Sequence, residues 1–108
     1  MDPLELLGSK ARLSILRELS RRDMYVSELM EEVGMDGKTA THHLDRLEGA
    51  GLIASHREGR RKYYALVRNV ELYVTPTPER EFRIQFPEAD ATWEATEGDA
   101  AEGSARDR

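Results

Sequence analysis

The sequence predicts a mainly α chain with a small β component, an α+β fold, and three observations carry that expectation. Apolar residues recur at helical spacing from Leu4 to Leu47. Two runs of good strand formers then flank Glu58-Gly59. Two more runs, Val70 to Val74 and Phe82 to Phe86, alternate apolar with polar residues across Thr75-Pro76-Thr77-Pro78. A chain of 108 residues is one domain in size, and its core is small enough that association between copies is expected.

Residues 2–22 read as one or two helices. Leu4 and Leu7 lie three apart, Gly8 interrupts, and Ser9 is a suitable N-cap for the next helix. Ala11, Ile15, Leu16 and Leu19 then mark an apolar stripe, with Arg12, Arg17 and Arg21 mostly elsewhere. A second helix runs from about Val26 to Val33, and Gly34 is a natural stop. Asp36 is a good N-cap for a third helix over about Gly37 to Ala50, whose buried stripe is Ala40, Leu44 and Leu47. Gly51 ends it. Leu52 to Arg57 and Arg60 to Val67 read as paired strands around Glu58-Gly59, because glycine accepts the positive φ of a hairpin turn. The chain divides accordingly into residues 1–69, a strand pair over 70–86, and an acidic tail over 87–108 that reads as disordered.

Composition excludes much. With no cysteine, the chain has no disulfide, thiolate metal site or cysteine nucleophile. No apolar run approaches a membrane span, so a soluble, cytoplasmic protein without a membrane partner is expected. No Ser-His-Asp set, glycine-rich phosphate loop or carboxylate pair in an apolar setting is visible, so neither enzyme activity nor a cofactor is expected. The formal net charge of −5 hides a division. Residues 37–68 carry seven basic and three acidic groups, whereas residues 87–108 carry two basic and seven acidic. Partner choice follows this local potential more than the total.

Helix, short glycine-bearing turn, helix, then a basic hairpin is the order of a winged helix-turn-helix. On a wheel of roughly 100° per residue, burying Ala40, Leu44 and Leu47 turns Lys38, His42 and Arg46 outward, with Thr39 and Thr41 at the flanks. Such a donor-rich face fits the DNA major groove, and cations at a hairpin tip (Arg57, Arg60, Arg61 and Lys62) reach phosphates or the adjacent minor groove. Taken alone, the tip also reads as an ordinary solvated hairpin. Adjacent His42 and His43 diverge on the helix and cannot easily share one metal ion. His43, at the edge of the apolar stripe, reads as a packing or capping residue.

The stretch VSELMEEVGMDGKTATHHLDRLEGAGLIASHREGRRKYYAL, from Val26 to Leu66, resembles the ArsR-type winged-helix transcriptional regulators, as does LLGSKARLSILRELS from Leu6 to Ser20. The resemblance covers residues 4–67. It rests most on His43-Leu44 with Leu47, on Gly51-Leu52-Ile53, and on Glu58-Gly59-Arg60 leading to Tyr64 and Leu66. It implies a homodimer that binds double-stranded operator DNA and represses transcription. By the same resemblance, Lys38, Thr39, Thr41, His42 and Asp45 match the DNA-reading helix, and Arg57, Arg60, Arg61 and Lys62 match the wing. Asp45 would repel phosphate, yet it can accept from a cytosine amino group or tune the site. The sequence departs from the family where metal sensors carry cysteines, here Tyr25 to Leu29, and no histidine comes after His56, so metal sensing is not expected. The family's C-terminal dimerisation helix is replaced by the strand pair. Its apolar set of Val70, Leu72, Val74, Phe82, Ile84 and Phe86 needs burial, on the core or at a subunit interface. The competing expectation is a winged helix used as a protein-interaction module, motivated by the acidity and the tail. Trp93 either docks on the domain or a partner or stays unanchored, and the tail either solubilises the chain or folds back over the basic face.

Overall fold

The computed structural model describes residues 1–89. The acidic tail from Asp90 on, Trp93 included, lies outside the described residues. Two helices open the chain. In α1 (Pro3–Leu7), the Asp2 carboxylate accepts from the Glu5 amide at 2.9 Å and Pro3 starts the first turn. In α2 (Lys10–Leu19), the Ser9 hydroxyl accepts from the Arg12 amide at 3.1 Å. A two-residue strand β1 (Met24–Tyr25) leads straight into α3 (Val26–Val33). Gly34, at φ 83°, turns the chain towards α4 (Gly37–Gly49) in a left-handed conformation that costs other residues a Cβ clash. The wing is β2 (Ile53–Glu58) and β3 (Arg61–Leu66). A second hairpin, which we call the arm, is β4 (Glu71–Val74) and β5 (Phe82–Gln85).

β1 was not expected from the sequence. It adds to the wing as Met24↔Tyr64 and Tyr25↔Tyr63, giving a three-stranded antiparallel sheet in the order β1-β3-β2. A two-residue strand is too short for an alternation signal. It forms because the long-range partner β3 is there to receive it. The wing turn is also displaced by one residue from the expected Glu58-Gly59. Glu58 pairs with Arg61, so the two-residue loop is Gly59-Arg60. Gly59, at φ 66°, takes the first central position, where a two-residue hairpin demands positive φ.

Leu6, Ile15, Leu29, Leu44, Leu47 and Leu52 are fully buried, and Tyr64 and Met24 close the core from the sheet. Each buried aliphatic side chain contributes about 1.5–3 kcal/mol of transfer free energy. Arg12, expected off the apolar stripe, is instead buried at 8% exposure. It stands at the i position of the stripe Ile15, Leu16 and Leu19, and it is tolerated there because its guanidinium finds acceptors inside.

Of the two places expected to bury the arm's apolar set, the core of the single chain takes only part of it. Val70 and Phe86, at the root, pack against the core. Leu72, Val74 and Phe82 stay 57%, 65% and 61% exposed. The root is tied down: the Asn69 amide donates to Pro87 O at 3.0 Å, and the Arg68 guanidinium donates to Phe86 O at 3.1 Å.

Candidate nucleic-acid interface

α4 presents the residues expected of a reading helix. Asp36 caps its N-terminus, accepting from the Thr39 amide at 2.7 Å, and the Thr39 hydrogen bonds hold the Asp36 carboxyl below its ordinary range. With Ala40, Leu44 and Leu47 fully buried, Lys38, Thr39, Thr41, His42, Asp45 and Arg46 lie on the other side of the helix, and all six are exposed. They form one polar arc because 3.6-residue periodicity leaves them nowhere else to point.

Two contacts fix how that arc is aimed. At one edge, half-buried His43 meets Arg12, with Nδ1 at 3.1 Å from the guanidinium. The same guanidinium donates from Nε to Leu6 O at 2.7 Å and from its other terminal nitrogen to Glu5 O at 3.0 Å. Arginine has no acceptor, so His43 Nδ1 accepts, and the ring is neutral with its proton on Nε2. Burial lowers the His43 pKa, and the charges of Arg12, His42 and Arg46 lower it further. The packing or capping role expected of His43 is thus a hydrogen-bonded clasp between α4, α2 and α1. At the far end of α4, the Ser55 hydroxyl of β2 donates to Glu48 at 3.0 Å and ties helix to wing.

The wing cations fall on two faces. Residues directly opposite share a face, so Arg57 lies with Lys62, and Glu58 with Arg61. Lys62 leans over the Tyr64 ring, 5.4 Å from its centroid. Arg61 stacks on Tyr25 at 4.3 Å, and Tyr25 in turn meets Tyr63 edge-on at 5.3 Å. Hydrogen bonding to Tyr63, then the influence of Tyr25, raises the Arg61 pKa and keeps it charged. His56 stacks on the other side of this cluster, 5.7 Å from Tyr63, with Nε2 at 3.3 Å from the Glu58 carboxylate. Arg57 and Arg60 are exposed, and among the described residues neither makes an ion pair. All ten candidate residues therefore sit on the reading helix or the wing, but they are not equivalent. Arg57 and Arg60 are open to a ligand, whereas Arg61 and Lys62 are committed to aromatic rings. Sequence reasoning missed three positioning groups: Arg12, Tyr25 and the Glu48–Ser55 pair. Only Arg12 carried a periodic signal, its place on the apolar stripe. Among the described residues, no three His, Asp or Glu side chains converge as metal ligands would.

A reading helix packed behind a supporting helix, with a cationic β-hairpin beside it, defines a winged helix-turn-helix protein. Residues 9–55 match the family model described as bacterial regulatory protein, arsR family. The chain is 32% identical over 66 residues to the HTH-type transcriptional regulator KmtR of Mycobacterium tuberculosis, covering 61% of this chain and 51% of KmtR. The homodimeric winged helix-turn-helix domain of Mb0332 from Mycobacterium bovis, described as a possible ArsR-family regulator, is similar at TM-score 0.55 and 34% identity, over 57% of each chain. The ArsR family transcriptional regulator RHA00566 is similar at TM-score 0.54 and 32% identity, over 58% of this chain and 69% of its own. The chain belongs to the ArsR family. It spans about half the length of the curated relatives it matches.

Proposed function

We propose that this chain is a sequence-specific transcriptional regulator of the cytoplasm that binds double-stranded DNA as a homodimer on a palindromic operator and represses transcription. α4 enters the major groove, where Lys38, Thr39, Thr41, His42, Asp45 and Arg46 meet base edges and flanking phosphates, while Arg57 and Arg60 neutralise the backbone or reach the adjacent minor groove. One observation carries this reading: the polar arc of α4 faces away from the core, and the uncommitted wing cations Arg57 and Arg60 stand on the hairpin next in the chain. The regulator names of KmtR and RHA00566 and the homodimer of Mb0332 support it.

The test is recovery of bound duplexes from a random pool by the purified protein. A two-fold-symmetric site with half-sites about 34 Å apart is expected. For a dimer contacting on the order of 6–10 phosphates, log affinity should fall with log salt at a slope of roughly −5 to −9. No enriched sequence together with a flat salt dependence would overturn the reading in favour of a protein-interaction module. Repression itself is tested separately, with a reporter placed behind the recovered site: expression that rises with the regulator would reverse the sign.

A further inference from the structure

The arm is two-sided. On one face the cross-strand pairs are Leu72↔Ile84 and Val74↔Phe82, all apolar. On the other, Tyr73 lies under the Arg83 guanidinium at 4.4 Å, Arg83 also pairs with Glu81 at 3.2 Å, and Gln85 donates to Glu71 at 2.7 Å. The polar face is satisfied within itself and suits water. The apolar face has no such partner, and among the described residues nothing covers Leu72, Val74 and Phe82. An isolated two-stranded hairpin is marginal in water, so leaving its greasy side wet gives up the main term that could stabilise it.

We propose that the apolar face of the β4–β5 arm packs against the same face of a second copy, with α1 completing the interface. This names the contact surface of the homodimer and rests on that part of the proposed function. Three observations select this occupant. First, the face carries no charged or hydrogen-bonding side chain, so it complements itself without matched polar groups, as a two-fold isologous contact requires. Second, area requires a further element beside the hairpin. Three side chains about 60% exposed offer roughly 300 Å² per copy, against about 800 Å² per partner in a stable interface. The remainder must be contiguous, and α1 packs beside β5 with Leu4 exposed and Met1 exposed just ahead of it. Third, the chain's own residues 90–108 are poorly suited to the role: they hold six acidic residues and one large apolar side chain, Trp93.

The chain has no cysteine, so single cysteines report contact between copies without background. In the full-length protein, Val74→Cys and Phe82→Cys are expected to form covalent dimers under mild oxidation. Tyr73→Cys and Gln85→Cys, on the polar face, are expected to remain monomeric on a denaturing gel. Phe82→Glu should shift the solution mass from dimer towards monomer, by at least tenfold in dissociation constant, with an unchanged far-ultraviolet circular dichroism spectrum. A wild-type protein that is monomeric at all concentrations would overturn the homodimer itself. A dimeric wild type in which all four cysteines cross-link alike, or in which Phe82→Glu stays dimeric, would overturn the arm as its interface and leave the homodimer standing. Deleting residues 90–108 should leave the dimer unchanged. Tighter association on deletion would assign the face to the tail instead.

Discussion

Replacing Arg12 by methionine should be among the most damaging single changes outside the apolar core. The substitution keeps most of the buried stem and removes the donors. Three acceptors then lose their partner: Leu6 O at 2.7 Å, Glu5 O at 3.0 Å and His43 Nδ1 at 3.1 Å. Each buried acceptor left unmade costs about 1–3 kcal/mol. Glu5 is exposed and His43 is half-buried, so water can serve both in part, and Leu6 O bears most of the loss. Relief from desolvating the guanidinium offsets some of it, and a net of about 2 kcal/mol is expected. In a domain of this size that lowers the melting temperature by roughly 8–16 °C. Urea unfolding monitored by circular dichroism supplies the free energy directly. Arg12→Lys should fall in between, because a point charge reaches one carbonyl but not the three-way fork. If Arg12→Met unfolds within about 0.3 kcal/mol of wild type, or if lysine restores full stability, the clasp does not brace α4 against α1 and α2.

The same clasp makes stability pH-dependent. The folded His43 pKa lies below its unfolded value near 6.5, so the unfolded chain binds more protons in that window. The contribution is fully present above pH about 6.5 and is lost as pH falls through the folded pKa. His43→Gln should flatten this slope in urea midpoints taken between about pH 5 and 8, and coincident slopes would refute it. On the wing, Arg60→Ala should weaken binding to all duplexes alike and reduce the salt slope by about 1. Arg61→Ala should instead loosen the Tyr25–Tyr63 cluster, seen as a change in tyrosine ring environment by near-ultraviolet circular dichroism without DNA present. Equal salt-slope losses with no spectral change would make Arg61 a plain phosphate contact.

Much of the fold was legible because its signals are local. Asp36 and the Ala40–Leu44–Leu47 stripe mark the reading helix by capping and period, and Gly34 marks the left-handed stop of the helix before it. The arm was legible from alternation, since Val74 and Phe82 pair as the pattern implies. What escaped depends on distance in the chain. Tyr25 becomes a strand residue only because Tyr63 arrives beside it. Burial of the arm could not be read either, because alternation tells which residues share a face and not whether another element reaches it. Arg12 was a different failure. It stands at the i position of a stripe continuing through Ile15, Leu16 and Leu19, and its charge argued against a core role that its hydrogen bonds in fact permit.

The wing resolves the difficulty that an acidic chain poses for a DNA-binding reading. Four cations close together look like uniform electrostatic attraction, yet aromatic contacts divide them. Arg61 and Lys62 go to aromatic faces, where each holds a ring and the sheet in place. Arg57 and Arg60 keep their charge outward on the strand and turn that those contacts steady. Phosphate attraction at such a site depends on charges within about a Debye length, near 8 Å at physiological ionic strength, and exposed charges farther away than that are largely screened. The net charge of −5 therefore sets solubility and long-range repulsion rather than affinity at the groove. The affinity per cation is instead bounded by how rigidly the wing is held, because a mobile side chain on a mobile hairpin loses to ordering entropy what it gains from the phosphate.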